Sequence, residues 1–583
     1  MMSRSRRKHI RSVFLLGLLA VGSNCMLSAC AGCGAERDGF APDGDAGGER
    51  DAVSAPPAFS EGGRDGSACE RAALTHDPLG CEYFVFGLGN NPPAQFQANC
   101  TVLFVSNPGD KPAHLRLTWR GAPVDLSTSA RLVTAQGRTP GYAALVGDDL
   151  QPGASAVIAL IEGAVGSPIF HCPFQAAVTE KNAAAGTGQP AADTFRLVAS
   201  EPVATTYLWP YGGYYQAEYT SAATLRAVES WSADYLDVGA FKPGRPPPPE
   251  GILYPNPSFT GLLARESTRV TLAGDGGFET VVLEAGTVLL RPQDDLFIGT
   301  KVSADHPFGL FTGAETLFAP FGVRPGNQVL QAVSPPSAWA SEYAAVKFPD
   351  RLDQDPAIWR FVARANGTTL AYEPSAPAGA PTTMNAGELA IFSTTDSFVV
   401  RSQDDAHPLH VSQLMPSGFT ICDLDDAGFI RTGGNCQSVY PQLLTVVPVA
   451  EFGQRAAFVT EPFFPDTSLV VTRHADDDGA FRDVTLDCAG VLTGWQGVGL
   501  GNRYETTRVA LSKGAFEPQP YAAGVCDNGA HAMRSEGLFT VAVWAGQHTA
   551  APPPDITDRV PFVSNYAFNV CGRRAERDAG ATK

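Results

Sequence analysis

The sequence predicts an all-β fold made of tandem degenerate repeats of about 100 residues, each a β-sandwich unit, with a β-propeller-like arrangement as the alternative. Three observations lead there. Gly (60) and Pro (46) are abundant in 583 residues while charged residues are only 17%, a profile of turn-rich β proteins. Several phrases recur in the same order at a spacing near one hundred residues. No stretch sustains a capped helical period.

The N-terminus reads as an export signal. Arg4, Arg6, Arg7, Lys8 and Arg11 precede the apolar run Val13–Gly22, too short to cross a bilayer core of roughly 30 Å and laid out as a secretory signal. Leu27, Ser28 and Ala29 before Cys30 resemble a bacterial lipobox. The expectation is a signal peptide over 1–29, lipidation of Cys30 and a Gly-, Ala- and acid-rich flexible tether over 30–66. Ala31, where an Asp tends to mark inner-membrane retention, favours an outer-membrane, surface-exposed lipoprotein. Two or more acyl chains would give lasting attachment.

About 515 residues follow the tether, too many for one core. The repeat phrases divide them into units over 67–217, 218–325, 326–420 and 421–571, with a disordered tail over 572–583. One phrase is a strand with an internal proline in three of its four copies: SEPVATTYLWP from Ser200, SADHPFGLFTG from Ser303, SQDDAHPLHVSQ from Ser402, and SEGLFTVAVWAG from Ser535. A second reads as a hairpin: from Val102, Leu262, Phe361 and Leu469. Small-residue turns stand between them at Pro152-Gly153, Ala285-Gly286 and Ala386-Gly387. A third phrase carries an aromatic pair, Trp231 and Tyr235, then Trp339 and Tyr343. Period-two alternation of β-branched and aromatic residues runs through each unit. Propeller blades are usually shorter than 100 residues, which favours the sandwich reading.

The ten cysteines other than Cys25 and Cys30 suit an oxidising compartment. Sequence neighbours suggest Cys69–Cys81, Cys100–Cys172, Cys422–Cys436 and Cys488–Cys526. Five of the 42 Lys and Arg residues lie in 1–29, so the remainder carries −23 against 60 Asp and Glu. That charge argues against nucleic acid and anionic lipid as partners, leaving a membrane link through the lipid alone.

PQDDLFIGTKVSADHPFGLFTG from Pro292, followed by LQAVSPPSAWASEYAAV, resembles the IgGFc-binding protein N-terminal domain family. Trp339 and Tyr343 keep that family's aromatic positions, while Ala340 replaces a glycine and Pro307-Phe308 replaces Pro-Val. CEYFVF around Cys81, DVTLDCAGVLTGW from Asp483 and CDNGAH from Cys526 are similar to phrases of bacterial lipoproteins grouped under that name. The resemblance covers most of 81–571 and implies an extracellular adhesive or recognition module. The D-type modules that follow this domain in animal relatives are missing from the sequence.

The sequence contains no HExxH, GxSxG, P-loop or dinucleotide-binding glycine motif. His407 and His410 sit three apart on an expected strand and face opposite ways. Asp423 and Asp425 open a turn like a calcium loop but lack ligands at its fifth and twelfth positions. His474–Gly479 has the composition of a turn. Trp209, Tyr211, Tyr214 and Tyr215 form an aromatic loop suited either to binding or to packing between units. The expected function is a lipid-anchored, non-catalytic envelope binding or adhesion protein without cofactor, taking a protein or glycan ligand. The alternatives are a structural envelope protein that pairs with another envelope component, and a secreted hydrolase, which would need clustered carboxylates in one cleft.

Overall fold

The structure, a computed structural model, describes residues 67–75, 78–88, 100–137, 141–162, 172–180, 183–211, 220–240, 258–274, 277–293, 298–319, 326–350, 355–422, 436–514, 516–546 and 566–574. Two short α-helices, Ala68–Thr75 and Leu126–Ser129, accompany strands throughout these residues. None of the described helices is long and apolar enough to cross a membrane. The body from Gly62 to Lys583 is one compact unit.

One strand plan occurs four times. Each repeat has a long strand: Phe195–Tyr211, Lys301–Leu317, the pair Phe398–Ser402 and Leu409–Met415, and Ala530–Gly546. Its first half belongs to one sheet and its second half to another. In the second repeat the first half pairs with Ser232–Leu236 and Thr268–Gly274, while the second half pairs with Ser258–Ala264 and Asn327–Ala332. The same partners in the same order serve the first repeat, the third and the fourth. Each repeat is therefore a small antiparallel β-sandwich whose two layers share one strand.

This plan revises one expectation. The phrases read as hairpins are not paired strands. Cys100–Ser106 and Ala113–Trp119 both pair with the long strand, but in different sheets. Their connecting turn crosses from one layer to the other, so the two strands pack face to face. A run of apolar residues, a turn and a second run look alike in either geometry.

The internal proline now has a reason. Pro202, Pro307 and Pro408 stand where the long strand passes between sheets, a place that needs no amide donor. The residue after each proline offers its carbonyl to a tyrosine hydroxyl: Tyr83 to Val203 (2.6 Å), Tyr235 to Phe308 (3.0 Å) and Tyr343 to Leu409 (2.7 Å). The same hydroxyls accept from Gly80 N (2.9 Å), Ser232 N (3.2 Å) and Ala340 N (2.9 Å). The tyrosine of the repeated phrase thus fastens the bend. In the fourth repeat Ala456 stands at the equivalent position, three residues after Gly453. Removing the hydroxyl takes this partner from the buried Leu409 carbonyl and the part-buried Ala340 amide, so Tyr343→Phe should cost about 1–3 kcal/mol; urea unfolding of the variant beside the wild-type chain checks this.

The turn glycines obey the same logic. Gly153, Gly286 and Gly387 have φ of +74°, +72° and +74°, values that favour a residue without Cβ. The amides of Gly286 and Gly387 donate 2.8 Å bonds to Ala264 O and Ala363 O, the ends of the strands they flank.

The four sandwiches close a ring, as the propeller alternative anticipated, although each blade is a sandwich. The last strand of every repeat lies inside: Ser221–Thr224 packs against Asn327–Ala332 and Tyr566–Val570, and Gln442–Thr445 packs against the same two. These strands pair within their own repeats, which moves the repeat boundaries to about 80–224, 232–332, 342–445 and 453–570, about seven residues beyond the first two expected ends and about 25 beyond the third.

Cores run across the seams. Phe84 packs on Trp231 with ring centroids 5.8 Å apart, joining the first and second repeats. Trp339 and Val362 enter the second repeat's core with Phe308 and Leu262. Phe348 meets Trp544 at 5.6 Å between the third and fourth. Val102, Phe104 and Tyr211 share a core with Phe458 and Phe464, closing fourth to first. Each signature tryptophan reaches backwards into the preceding repeat.

The C-terminal segment completes the closure. Arg573 N donates to Arg455 O (2.7 Å), and Arg455 N to Arg573 O (3.0 Å). At Gly453 a Cβ would lie 2.3 Å from the carbonyl carbon of Gly572, so only glycine admits this approach.

Three of the expected disulfides are present: Cys69–Cys81, Cys100–Cys172 and Cys488–Cys526. Cys422 and Cys436 stand opposite each other across an antiparallel strand pair.

Candidate functional site

The four closing strands converge on one axis. Each contributes one polar side chain to a collar there: Thr224, Gln331, Thr445 and Asn569 line a small cavity of about 50 Å³. Thr224 Oγ1 donates to Asn569 O. Asn569 Nδ2 donates to Thr445 O at 2.7 Å. At the other end of the axis, Asn327 Nδ2 and Gln442 Nε2 each donate to Thr220 O at 3.1 Å. The axis is therefore filled by side chains along the closing strands.

Beyond their carboxyl ends it widens into a cavity of about 420 Å³, within the usual size of small-molecule sites. Four equivalent positions, each two residues past a closing strand, stand where the two cavities meet: Arg226 lines both, Ser334 and Val447 the smaller, and Gly572 the larger. Only one carries a charge. Arg226 reaches across the axis, donating from NH1 to Ser334 Oγ (3.0 Å) and from NH2 to Glu451 Oε1 (2.9 Å). Burial works against its charge, yet Glu451 outweighs it and the pKa is raised. The Nε of Arg226 has no partner.

The remaining walls come from the one-turn 3-10 segments that begin each following repeat. Ser230 and Ser337 lie on two of them, and Ala450 and Glu451 on a third. Phe452, Pro335 and Pro78 supply apolar surface. Arg574 lines the wall while donating to Phe452 O (2.9 Å) and Val449 O (2.8 Å). These residues come from positions 78 to 574, and no local motif joins them. The aromatic-pair phrase pointed to the turns, since Trp231 Nε1 donates to Arg226 O and Trp339 Nε1 to Ser334 O; nothing in it pointed to a cavity.

The aromatic loop is corrected in part. Trp209 and Tyr211 are buried, 4% and 1% exposed, at the end of the first long strand. Tyr211 shares a 2.5 Å hydroxyl–hydroxyl bond with Tyr142 and packs near Phe463 of the fourth repeat. They hold a seam instead of presenting a surface. Tyr214 and Tyr215 lie outside the described residues, as do Asp423, Asp425, the lipobox residues Leu27, Ser28 and Ala29, and Cys30.

Other candidate chemistry is committed elsewhere. Asp476 and Asp478 each accept 2.6 Å bonds from Arg482 across the turn. Asp487, Cys488 and His531 lie within metal-ligand distance, but the Cys488 sulfur is bonded to Cys526 and offers no thiolate.

A buried polar cluster lies between the second and third repeats. Asp237 accepts from Thr260 Oγ1 (2.5 Å), Gly239 N (2.8 Å) and Gln293 Nε2 (3.1 Å). Arg360, 1% exposed, donates to Val238 O at 2.7 Å. Burial lowers its pKa to about 10, against the opposing charge of Asp237, so it stays charged at neutral pH. On the next strand His410 is buried, and burial with the Arg360 charge lowers its pKa to about 3. A histidine held neutral contributes stability above its ordinary value near 6.5 and loses it as pH falls towards 3. Stability should therefore drop by up to about 1.4 kcal/mol per pH unit below 6.5. Denaturation between pH 7 and pH 5 should show this slope, and His410→Leu should flatten it.

The fold and its axis thus define a four-repeat ring of β-sandwiches with a polar funnel, braced by disulfides in the first and fourth repeats. The family model described as IgGFc binding protein matches residues 251–545, more than half of the chain, and the chain belongs to that family. The match runs from within the second repeat to within the fourth, leaving out the strands Ser232–Leu236 and Tyr566–Val570; the first repeat, before it, has the same strand plan. No curated protein and no solved structure matches the chain.

Proposed function

We propose that this chain is a lipid-anchored binding or adhesion protein of the cell envelope, displayed at the surface and without catalytic activity. Membership of a binding family over residues 251–545 carries the reading. The anchor rests on the sequence: the basic start, the apolar run and Leu27-Ser28-Ala29-Cys30. The charge of the funnel supports a binding role, because Glu451 is the single carboxylate among its described lining and is tied to Arg226. General acid–base hydrolysis of glycosides uses two carboxyl groups.

Protease treatment of intact cells tests the display. Loss of the body without lysis supports it; protection places the body in the periplasm and overturns it. Purified chain, screened against cell, matrix, protein and glycan surfaces, should retain at least one of them. Binding to none, with crosslinking in cells to one abundant envelope protein, would replace adhesion by a structural role.

A further inference from the structure

We propose that a second copy of this chain pairs with the free edge of the strand Gly277–Leu283, antiparallel and about a twofold axis at Thr280. This surface uses none of the residues that line the funnel.

The strand departs from the repeat plan. In every repeat one layer ends on an edge strand beside Ala113–Trp119 or its equivalent. That edge strand is two residues long in the first, third and fourth repeats: Ala122–Pro123, Thr383–Met384 and Gly490–Val491. Keeping edge strands very short is one way β proteins prevent further pairing. In the second repeat the equivalent strand has seven residues. It pairs along its whole length with Thr268–Gly274, and with no other strand among the described residues.

The register shows which backbone groups lie on the open side. Gly274 and Gly277 are partners with two residues between them. The pair that flanks a two-residue hairpin loop exchanges both of its backbone bonds. Alternation then turns Gly277, Glu279 and Val281 towards Thr268–Gly274. The N–H and C=O groups of Phe278, Thr280 and Val282 point the other way, where a further strand would lie. Phe278 and Val282 are also 81% and 58% exposed, on the same face as Thr280. A long edge with exposed apolar side chains is a pairing site.

The strand is complementary to itself. With the axis at Thr280, Phe278 stands opposite Val282 of the second copy, and Val282 opposite its Phe278. Aromatic and β-branched residues opposed in this way attract, as do two opposed threonines. Each outward N–H then faces an outward C=O. Glu279 is the one charged residue of the strand. It falls opposite Val281 of the second copy, and its own charge is already met by Arg291. Moving the axis one residue towards the turn would set Glu279 against its own copy, and like charges directly opposed repel. Moving it one residue the other way would centre it on Val281, whose backbone bonds are spent on Thr268–Gly274. Charge and hydrogen bonding therefore select the same register.

Sedimentation velocity of the purified full chain tests this up to on the order of 100 µM, since so small an interface belongs to the weak, transient class. A concentration-dependent dimer is expected. Thr280→Lys places two like charges on the axis and should weaken dimerisation about tenfold or more. Its melting temperature should not change, because Thr280 is exposed. Thr280→Glu should weaken dimerisation to a similar extent, and an equimolar mixture of the two variants should restore a dimer by opposing unlike charges. Deuterium exchange gives an independent readout: the amides of Phe278, Thr280 and Val282 should be protected at high concentration and exchange freely at low. A chain that stays monomeric throughout overturns the proposal, as does a dimer indifferent to both variants. Protection of those amides at every concentration would mean that another part of the same chain covers the edge, and overturns it as well.

Discussion

Arg360→Ala is expected to destabilise the body by about 3–5 kcal/mol, whereas the double variant Arg360→Met with Asp237→Asn should cost far less. Arg360 is buried on the strand Ala357–Ala363, and its partners belong to both adjoining repeats: Val238 O at 2.7 Å and Ser412 Oγ at 3.4 Å. Its charge also favours the ionised form of Asp237, whose pKa burial raises overall. Truncation removes the stem from the core, strands the Val238 carbonyl and leaves the buried Asp237 carboxylate with its three hydrogen-bond donors but without the nearby positive charge. Replacing both charges removes the desolvation penalty together with the attraction. Chemical unfolding of the single and double variants gives the coupling directly. A single-variant cost under about 1 kcal/mol would mean that water reaches the cluster.

Cys100→Ser with Cys172→Ser is the second large effect, expected at about 2–5 kcal/mol. The bridge spans 72 residues, and Cys100 is fully buried at the start of a central strand. That strand pairs with Ser155–Glu162 on one side and the first long strand on the other, and its Val102 and Phe104 enter the core shared with the fourth repeat. Loss of the bridge should therefore loosen the seam that closes the ring. Cys69–Cys81 spans only 12 residues. The (3/2)RT ln n dependence predicts a cost about 1.6 kcal/mol smaller for its removal. Calorimetry of the two double variants compares them, and equal costs would show that loop closure is not what the longer bridge contributes.

The aromatic and proline phrases show how far local pattern reaches. Tyr235 and Tyr343 recur because each fastens the same bend, and Pro307 and Pro408 recur because that bend needs no amide. Both constraints are met within a few residues or by one strand crossing, so they leave a mark at a fixed register. The same holds for Gly286 and Gly387, whose positive φ is a local demand, and for three cysteine pairs that are neighbours in order along the chain. Membership of the family follows from those same marks.

Other features leave no local mark. Trp209 and Tyr211 have the composition of an exposed recognition loop, yet Tyr211 is covered by Tyr142 and by Phe463 of another repeat. Burial there depends on a neighbour some 250 residues away. The supposed hairpins became crossings between layers because a strand's alternation specifies its face but not its partner. Cys100–Ser106 and Ala357–Ala363 are buried along their whole lengths, so even alternation is lost. By itself, then, the sequence determined the β class, the register of the repeats, the bends, the glycine turns and the family, since each rests on short-range geometry, while three of the disulfides followed the order of the cysteines along the chain. Closure of the ring, and the funnel where Arg226, Ser334 and Glu451 meet, were decided by tertiary structure alone, because only packing brings together groups that share no segment, period or spacing.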